Sequence, residues 1–290
     1  MAETATAGQA ANAQKIMVAA TRFIQEHSSP AFRSIETMRL PKGHKQAEVP
    51  KVGQFIFSDL TDGEDMTEEQ SMNMTTTTLT VNEVGAKVIL TDKLLAQNGT
   101  TDAFRIVGRQ AGDGWARKTD EDTIALYPSL NGTTTFGGAG NVFSVANAAA
   151  TIVKAKGKTE PFEPNYVVGH PHWFFSILNS ATVVGGANFN PPEDIQRRQL
   201  QNFFQFRLNQ VNFLEDGNLE IDSSGDAVGA LAQTDALVKL MSKDFGLERE
   251  RDASRRAWEL NWVGRYGCFV LDDQHGAPLT YDASAPNDTA

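Results

Sequence analysis

Between Val84 and Tyr127 the hydrophobic pattern changes from a period of two to a period close to four. In VGAKVILTD, Val84, Ala86, Val88 and Leu90 fall on one face and Lys87, Ile89 and Thr91 on the other, which predicts a strand ending at Thr91-Asp92. After LLAQNGT, residues 101–127 read as one long helix. Asp102 can cap its start, and Pro128 disfavours helix at Tyr127 and cannot continue it. Such a helix would run roughly 40 Å. Phe104, Val107, Ala111, Trp115, Ile124 and Ala125 keep to one side, with Arg105/Arg109, Asp113/Arg117 and Arg117/Glu121 spaced four apart elsewhere. Each opposite-charge pair adds about 0.2–0.5 kcal/mol, so packing of the apolar side must hold the helix. Gly108, Gly112 and Gly114 together cost about 3 kcal/mol relative to alanine, which suits a helix that bends or is approached by another backbone. The stretch reads as a structural spine.

The flanking segments carry weaker patterns. Residues 1–14 are small and polar and read as disordered alone, and Lys15–Gln25 reads as a short amphipathic helix. From Ser28 to Gly53 the chain holds Pro30, Pro41 and Pro50 with no sustained period, so it must lie along another surface. Gln54–Leu60 reads as a strand and Thr61–Gln70 as an acidic tip. The Thr-rich run from Ser71 returns as a second long polar strand. Together they predict a protruding hairpin that needs a neighbour's support. Further on, Asn131–Gly140 reads as a flexible crossing, Asn141–Lys158 as a helix with Val145, Ala148, Ala149, Ile152 and Val153 apolar, and Tyr166–Gly169 as a buried strand. A helix is predicted from Pro171, and a loop ending in a helix entrance is predicted around Pro191–Asp194. The next stretch is partly helical and passes into a strand around Gln210–Leu214. Asp216–Gly229 reads as exposed turns, Ala236–Met241 as a strand, and Glu248–Gly267 as a charged, then alternating, ribbon.

Composition narrows the function classes. Of 290 residues, 36 are acidic and 26 basic, a formal net charge of −10, which argues against a nucleic-acid clamp over the bulk surface. The single cysteine, Cys268, lies in an apolar run and reads as a core thiol; alone it excludes an intrachain disulfide or a cysteine-built zinc site. No stretch reaches the ~18 apolar residues of a membrane span, and the first residues lack the basic start and apolar run of a signal peptide. The expectation is a protein made and kept in a cytosol.

Candidate chemistry is sparse. His170-Pro171-His172 could share a metal, but Pro171 breaks the strand and no further ligand stands nearby in sequence; a turn with ordinary polar contacts is the alternative. Gly137–Gly140 lacks the Gly-Lys-Ser/Thr of a phosphate loop. The acidic run with Asp62, Glu64, Glu68 and Glu69 lacks calcium-loop spacing and reads as a solvated tip. Ser176 and Ser180 have no nucleophile-elbow setting. Arg249, Arg251, Arg255 and Arg256, interleaved with acids, fit a subunit-contact ribbon better than a nucleic-acid patch. No catalytic residue, metal ligand or cofactor is assigned.

The order of parts resembles the major capsid proteins of tailed bacteriophages, whose fold is shared with encapsulin shells and herpesvirus capsid floors. The likeness is carried by the loose N-terminal segment, the Thr-rich hairpin, VGAKVILTDKLL, the long helix with Asp120, Glu121 and Asp122 near its end, and YVVGHPHWFFSIL. It covers nearly the whole chain as element order and loose motifs. The resemblance implies an α+β fold with an arm at 1–50, an extended loop at 51–83, a peripheral domain at 84–130 and 236–283, an axial domain at 131–235, and a tail at 284–290. It further implies a structural coat subunit of an icosahedral phage head around double-stranded DNA, forming hexamers and pentamers, without catalysis. Partners would be copies of itself, with portal, scaffold and decoration proteins, and DNA nearby without sequence-specific binding. The acidic tip and the four arginines are then subunit-contact candidates. An encapsulin-like shell, or a metal-dependent enzyme using His170 and His172, are the alternatives.

Overall fold

The computed structural model describes residues 29–53, 59, 62, 74–98, 100–184, 207–208 and 210–286. The expected elements at 1–25 and 185–206 lie outside them, as does the strand at 54–60 except Asp59 and the acidic tip except Asp62. Among the described residues the strands form three sheets.

The first sheet has the order β1-β10-β11-β4, built from Glu36–Arg39, Leu237–Asp252, Ala257–Val270 and Asn82–Thr91. β10 and β11 are long antiparallel partners, joined by a turn in which Arg256 takes a positive φ of 47°. β4 pairs antiparallel along β11 from Ala257↔Thr91 to Tyr266↔Asn82. The predicted strand is thus present, two residues longer at its start. Its two faces are not simply inner and outer, since Ile89 and Leu90 are both buried.

Two helices follow β4: α2 (Asp92–Asn98) and the long α3 (Thr100–Ile124). Asp102 lies inside α3, so it does not cap it as expected. At 25 residues the helix is roughly 37 Å long. It ends three residues before Tyr127, and Pro128 sits in the first turn of a 3-10 segment, Tyr127–Thr133, where its missing N–H costs nothing. Val88, Leu90, Leu94, Leu95, Phe104, Val107, Leu260 and Trp262 form the cluster beneath α3. Farther along, Trp115 stacks on Phe245 at 4.8 Å and meets Tyr266 edge-on at 5.1 Å. A Cβ on Gly264 would stand 2.4 Å from the Trp115 ring, so β11 must carry glycine there for the helix to settle. The three helix glycines behave differently. A Cβ at Gly108, Gly112 or Gly114 would meet nothing within 4 Å, so no described part of this chain is the close neighbour they were expected to have.

The second sheet has the order β5-β12-β9-β6-β8-β7, from Phe136–Gly137, Gly276–Asp282, Asp226–Ala232, Tyr166–Gly169, Val211–Glu215 and Arg207–Leu208. β6 has the predicted bounds, and the predicted helix after it is α5, Pro171–Val184. α4, Val145–Lys156, is capped by Ser144, whose side chain accepts from the Asn147 amide. Its inward residues are Ala148, Ile152 and Ala155, while Val153, expected on the apolar face, is 62% exposed. Two strands correct the sequence reading. Asp226–Ala232, read as exposed turn, is a buried strand near the middle of this sheet. Gly276–Asp282, expected with the 84–130 and 236–283 unit, pairs with β9 in the sheet of residues 131–235. The reason lies in the chain path: a short 3-10 turn at Asp273–His275 redirects the chain after β11. Trp173, wholly buried, fills this sheet's core beside Phe143 and Tyr281. Gly229 lets β9 pass, because a Cβ there would stand 2.2 Å from the Val168 carbonyl.

The described part of the N-terminal segment is no loose arm. α1 (Ala31–Ser34) leads into β1, which pairs in parallel with β10, and Ala31, Ile35 and Leu40 are buried. Its proline-broken pattern hid this because each buried piece is too short to show a period of its own.

Replacing Trp173 by alanine should cost about 3–5 kcal/mol, the range for a fully buried large aromatic. Urea denaturation would show a lower midpoint with an unchanged slope; an unchanged midpoint would contradict this packing.

Candidate functional site

The surfaces left without an internal partner are the candidate site. β1 pairs with β10 only from Val238 to Met241, so from Lys243 onward β10 is an outer strand among the described residues. At 16 residues β10 is roughly 50 Å long. Its outer half carries alternating charge from Lys243 to Asp252, a composition that discourages indiscriminate strand addition.

The four candidate arginines divide into two kinds. Arg251 grips Asp92 at the start of α2 with both nitrogens, the longer bond 2.8 Å, and its guanidinium lies 5.4 Å from the centre of the Trp258 ring. That hydrogen bond holds the Asp92 carboxyl below its usual range. Arg255 reaches Glu259 at 3.4 Å and Asp252 at 3.5 Å. These two therefore brace the ribbon's own end. Arg249 and Arg256 have no ion-pair partner among the described residues, and both are exposed. Asp62 is exposed, while Glu64, Glu68 and Glu69 lie outside the described residues.

A second surface is the two-stranded ribbon of β2 (Gln46–Val52) and β3 (Met74–Thr80). Its inner end packs Ala47, Val49 and Leu79 onto Val238 and Leu240. Lys51 reinforces this, donating to Asp272 at 2.6 Å. At the other end Val52 and Met74 face each other across the ribbon, 52% and 55% exposed. β2 begins at Gln46, inside the segment assigned to the arm, while the hairpin strand expected at 54–60 lies outside the described residues except Asp59.

His170 and His172 do come together, their rings edge-to-face at 4.4 Å. The His172 amide donates to His170 Nδ1, and His172 Nδ1 lies 2.7 Å from the Ala283 carbonyl oxygen. Those contacts tie α5 to the end of β12. Among the described residues no group of three or more His, Cys, Asp or Glu side chains could hold a metal ion.

Sequence reasoning missed a buried pair of acids. Asp120 of α3 and Asp216, just after β8, are both 0% exposed. Burial, and then the hydrogen-bonded Asp120 carboxyl beside it, push Asp216 up to about 8. Asp216 sits in a stretch rich in Gly, Asp and Asn, where local composition signals only a turn.

Cys268 lines an open cleft of about 310 Å³ with Asn82, Val84, Lys118, Asp122, Tyr266, Gly267 and Phe269. Thr123 donates toward its sulfur at 3.6 Å, and burial raises the thiol to about 11.

A family model described as phage capsid protein matches residues 75–278, well over half the chain. The chain belongs to the phage capsid protein family. Solved structures similar to this capsid protein include the cyanophage Pam1 capsid, at 12% identity and TM-score 0.70, covering 91% of this chain and 95% of that one. Mycobacterium phage Che8 gives 14% identity and TM-score 0.63 over 91% and 96%. The SrpI encapsulin of Synechococcus elongatus PCC 7942 gives 12% and 0.62 over 96% and 98%. Comparison with curated protein sequences finds no match. The fold is therefore the phage capsid fold, and the α+β expectation holds. Among the described residues no helix is long and apolar enough to cross a membrane.

A thiol raised from 9.0 to about 11 holds about 100-fold less thiolate at pH 8 than an ordinary one. Cys268 of the native capsid protein should accordingly react with a disulfide reagent far more slowly than after unfolding in urea; equal rates would contradict its burial.

Proposed function

We propose that this capsid protein is the major shell subunit of a phage head, closing with copies of itself into hexamers and pentamers around double-stranded DNA, without catalysis. The family match over residues 75–278 carries this reading. The surfaces support it. A ribbon ending in an exposed Val52–Met74 pair and an outer strand with a charged half are what a subunit offers to neighbours. The net charge of −10 suits a wall that lies beside packaged DNA without gripping it.

In this reading the extended loop is 51–83, its part between Val52 and Met74 reaching over a neighbouring subunit, and the arm is 1–50, of which 36–39 pairs with β10 and 46–50 with β3. The peripheral unit comprises 84–130 with 236–275, and the axial unit 131–235 with 276–283, a division that follows the sheets. Portal, scaffold and decoration proteins are the further partners. The subunit is made in the host cytoplasm and ends in the virion. A cargo-enclosing shell is the second reading, favoured by the likeness to the SrpI encapsulin over nearly the full length of both chains.

Sedimentation and negative-stain imaging of the expressed protein, alone and with a candidate scaffold, should give closed shells, tubes or hexamer-sized capsomers. A monomer in every condition, resistant to protease across residues 1–80, would sink the proposal. Co-purification of one abundant enzyme inside shells, in place of DNA, would favour the second reading.

Arg249 and Arg256 serve as intersubunit contacts, with Asp62, Glu64, Glu68 and Glu69 as the acidic counterpart, while Arg251 and Arg255 keep the ribbon end in shape. The double substitution Arg249→Glu, Arg256→Glu should cut the yield of sedimenting shells at least several-fold and leave the subunit's unfolding midpoint nearly unchanged. Undiminished assembly would exclude the role.

A further inference from the structure

A buried polar cluster joins three parts of the chain that are far apart in sequence. Asp120, in the last two turns of α3, accepts from the Phe32 amide at 3.2 Å through Oδ1 and from Asn218 Nδ2 at 2.9 Å through Oδ2. Asp216 Oδ1 accepts from the Asn218 amide at 3.0 Å. One asparagine therefore binds both carboxyls, holding the turn after β8 against the long helix. The other oxygen, Asp216 Oδ2, is buried and meets no donor among the described residues. An ionised carboxylate oxygen buried in that state, beside a second carboxylate, is costly by desolvation and by like-charge repulsion. A proton on Oδ2 removes both penalties and turns the oxygen into a donor to Asp120.

We propose that Asp120 and Asp216 hold one proton between them, and that this proton latches the N-terminal segment and the turn after β8 to the long helix. Losing it places two negative charges in a buried site and loosens the anchor at Phe32.

The groups around the pair leave the proton as the means of neutralising it. Tyr127, from the 3-10 segment, is the titratable side chain on which both carboxyls act, with Tyr166 of β6 acting on Tyr127 in turn; both are acids raised by burial. Asp235, a further acid, acts on Tyr166. Facing the N-terminal segment from β10 is Lys239, but its Nζ is spent on the Phe32 carbonyl at 2.6 Å and lies 4.3 Å from the centre of the Phe32 ring, with Arg33 also acting on it. His170 follows Gly169, whose carbonyl binds the Asp216 amide, and its Nδ1 accepts from the His172 amide. No basic group is among the causes acting on Asp216.

The sign of the effect follows from the raised Asp216. The folded chain holds a proton that the unfolded chain, with an ordinary aspartate near 3.8, releases. The stabilisation is complete below about pH 4, declines as pH rises, and is gone above about pH 8. This latch concerns the folded subunit and stands whether or not that subunit closes into a shell.

The test compares the full-length protein with its Asp216→Asn variant, whose amide can donate to Asp120 at every pH and still accept from the Asn218 amide. Between about pH 5.5 and about pH 8.5 the wild-type Tm should fall by several degrees more than that of the variant. Trypsin cleavage after Arg33, taken as the ratio of wild type to variant, should rise several-fold over the same interval. Infrared spectra in D2O give an arm that needs no folded variant: wild type near pH 6 should show the band of a protonated carboxyl, lost near pH 9. Parallel pH profiles for the two proteins, or no protonated-carboxyl band near pH 6, would overturn the proposal.

Discussion

One apolar junction holds the two large sheets together, and most of the molecule depends on it. Tyr127 and Leu130 from the 3-10 segment, Tyr166 and Val168 from β6, Ala230 and Ala232 from β9, and Ala236 and Leu237 at the start of β10 form a single buried cluster. Ala31 and Ile35 close it from the N-terminal side. Because β9 and β10 are joined by only a few residues, this cluster fixes where β10 leaves the six-stranded sheet and enters the four-stranded one. The direction of the long β10–β11 ribbon, and the seat of the long helix upon it, follow from that exit.

The junction is apolar on one side and acidic on the other. Asp120 and Asp216 act on the buried Tyr127, in surroundings where an unpaired polar atom is costly. By contrast, the outer half of β10 and the far end of the β2–β3 ribbon have few internal contacts to lose. A subunit of this design is stiff at its centre and unfinished at its margins, which suits a shell component that must meet neighbours without unfolding.

Local periodicity made several elements legible. Tyr166–Gly169 and the helix from Pro171 were readable because a four-residue apolar run followed by proline leaves one arrangement. The long helix was readable in existence but not in its ends: Asp102 looked like a cap, yet Thr100 and Thr101 already lie in the helix. β9 was hidden because DAVGALA has small residues and follows a run of turn formers. It is a strand through its pairing with β12 and β6, and Gly229 permits the close approach of the Val168 carbonyl and Trp173. The four arginines stand out in the sequence as one charged group, and only the structure separates Arg251 and Arg255, paired within their own ribbon, from Arg249 and Arg256.

The amino-acid order by itself determined the main helix and strand periods, the acidic surface, the absence of any cysteine framework, and the resemblance to the phage capsid fold. Those properties come from interactions within a few residues or from sums over the chain. Tertiary structure decided which sheet received β12, how the segment around Phe32 was tied down, and that Asp120 and Asp216, 96 positions apart, are buried side by side. Such contacts join residues distant along the chain, and burial of a carboxyl is a property of its surroundings, which no local pattern records.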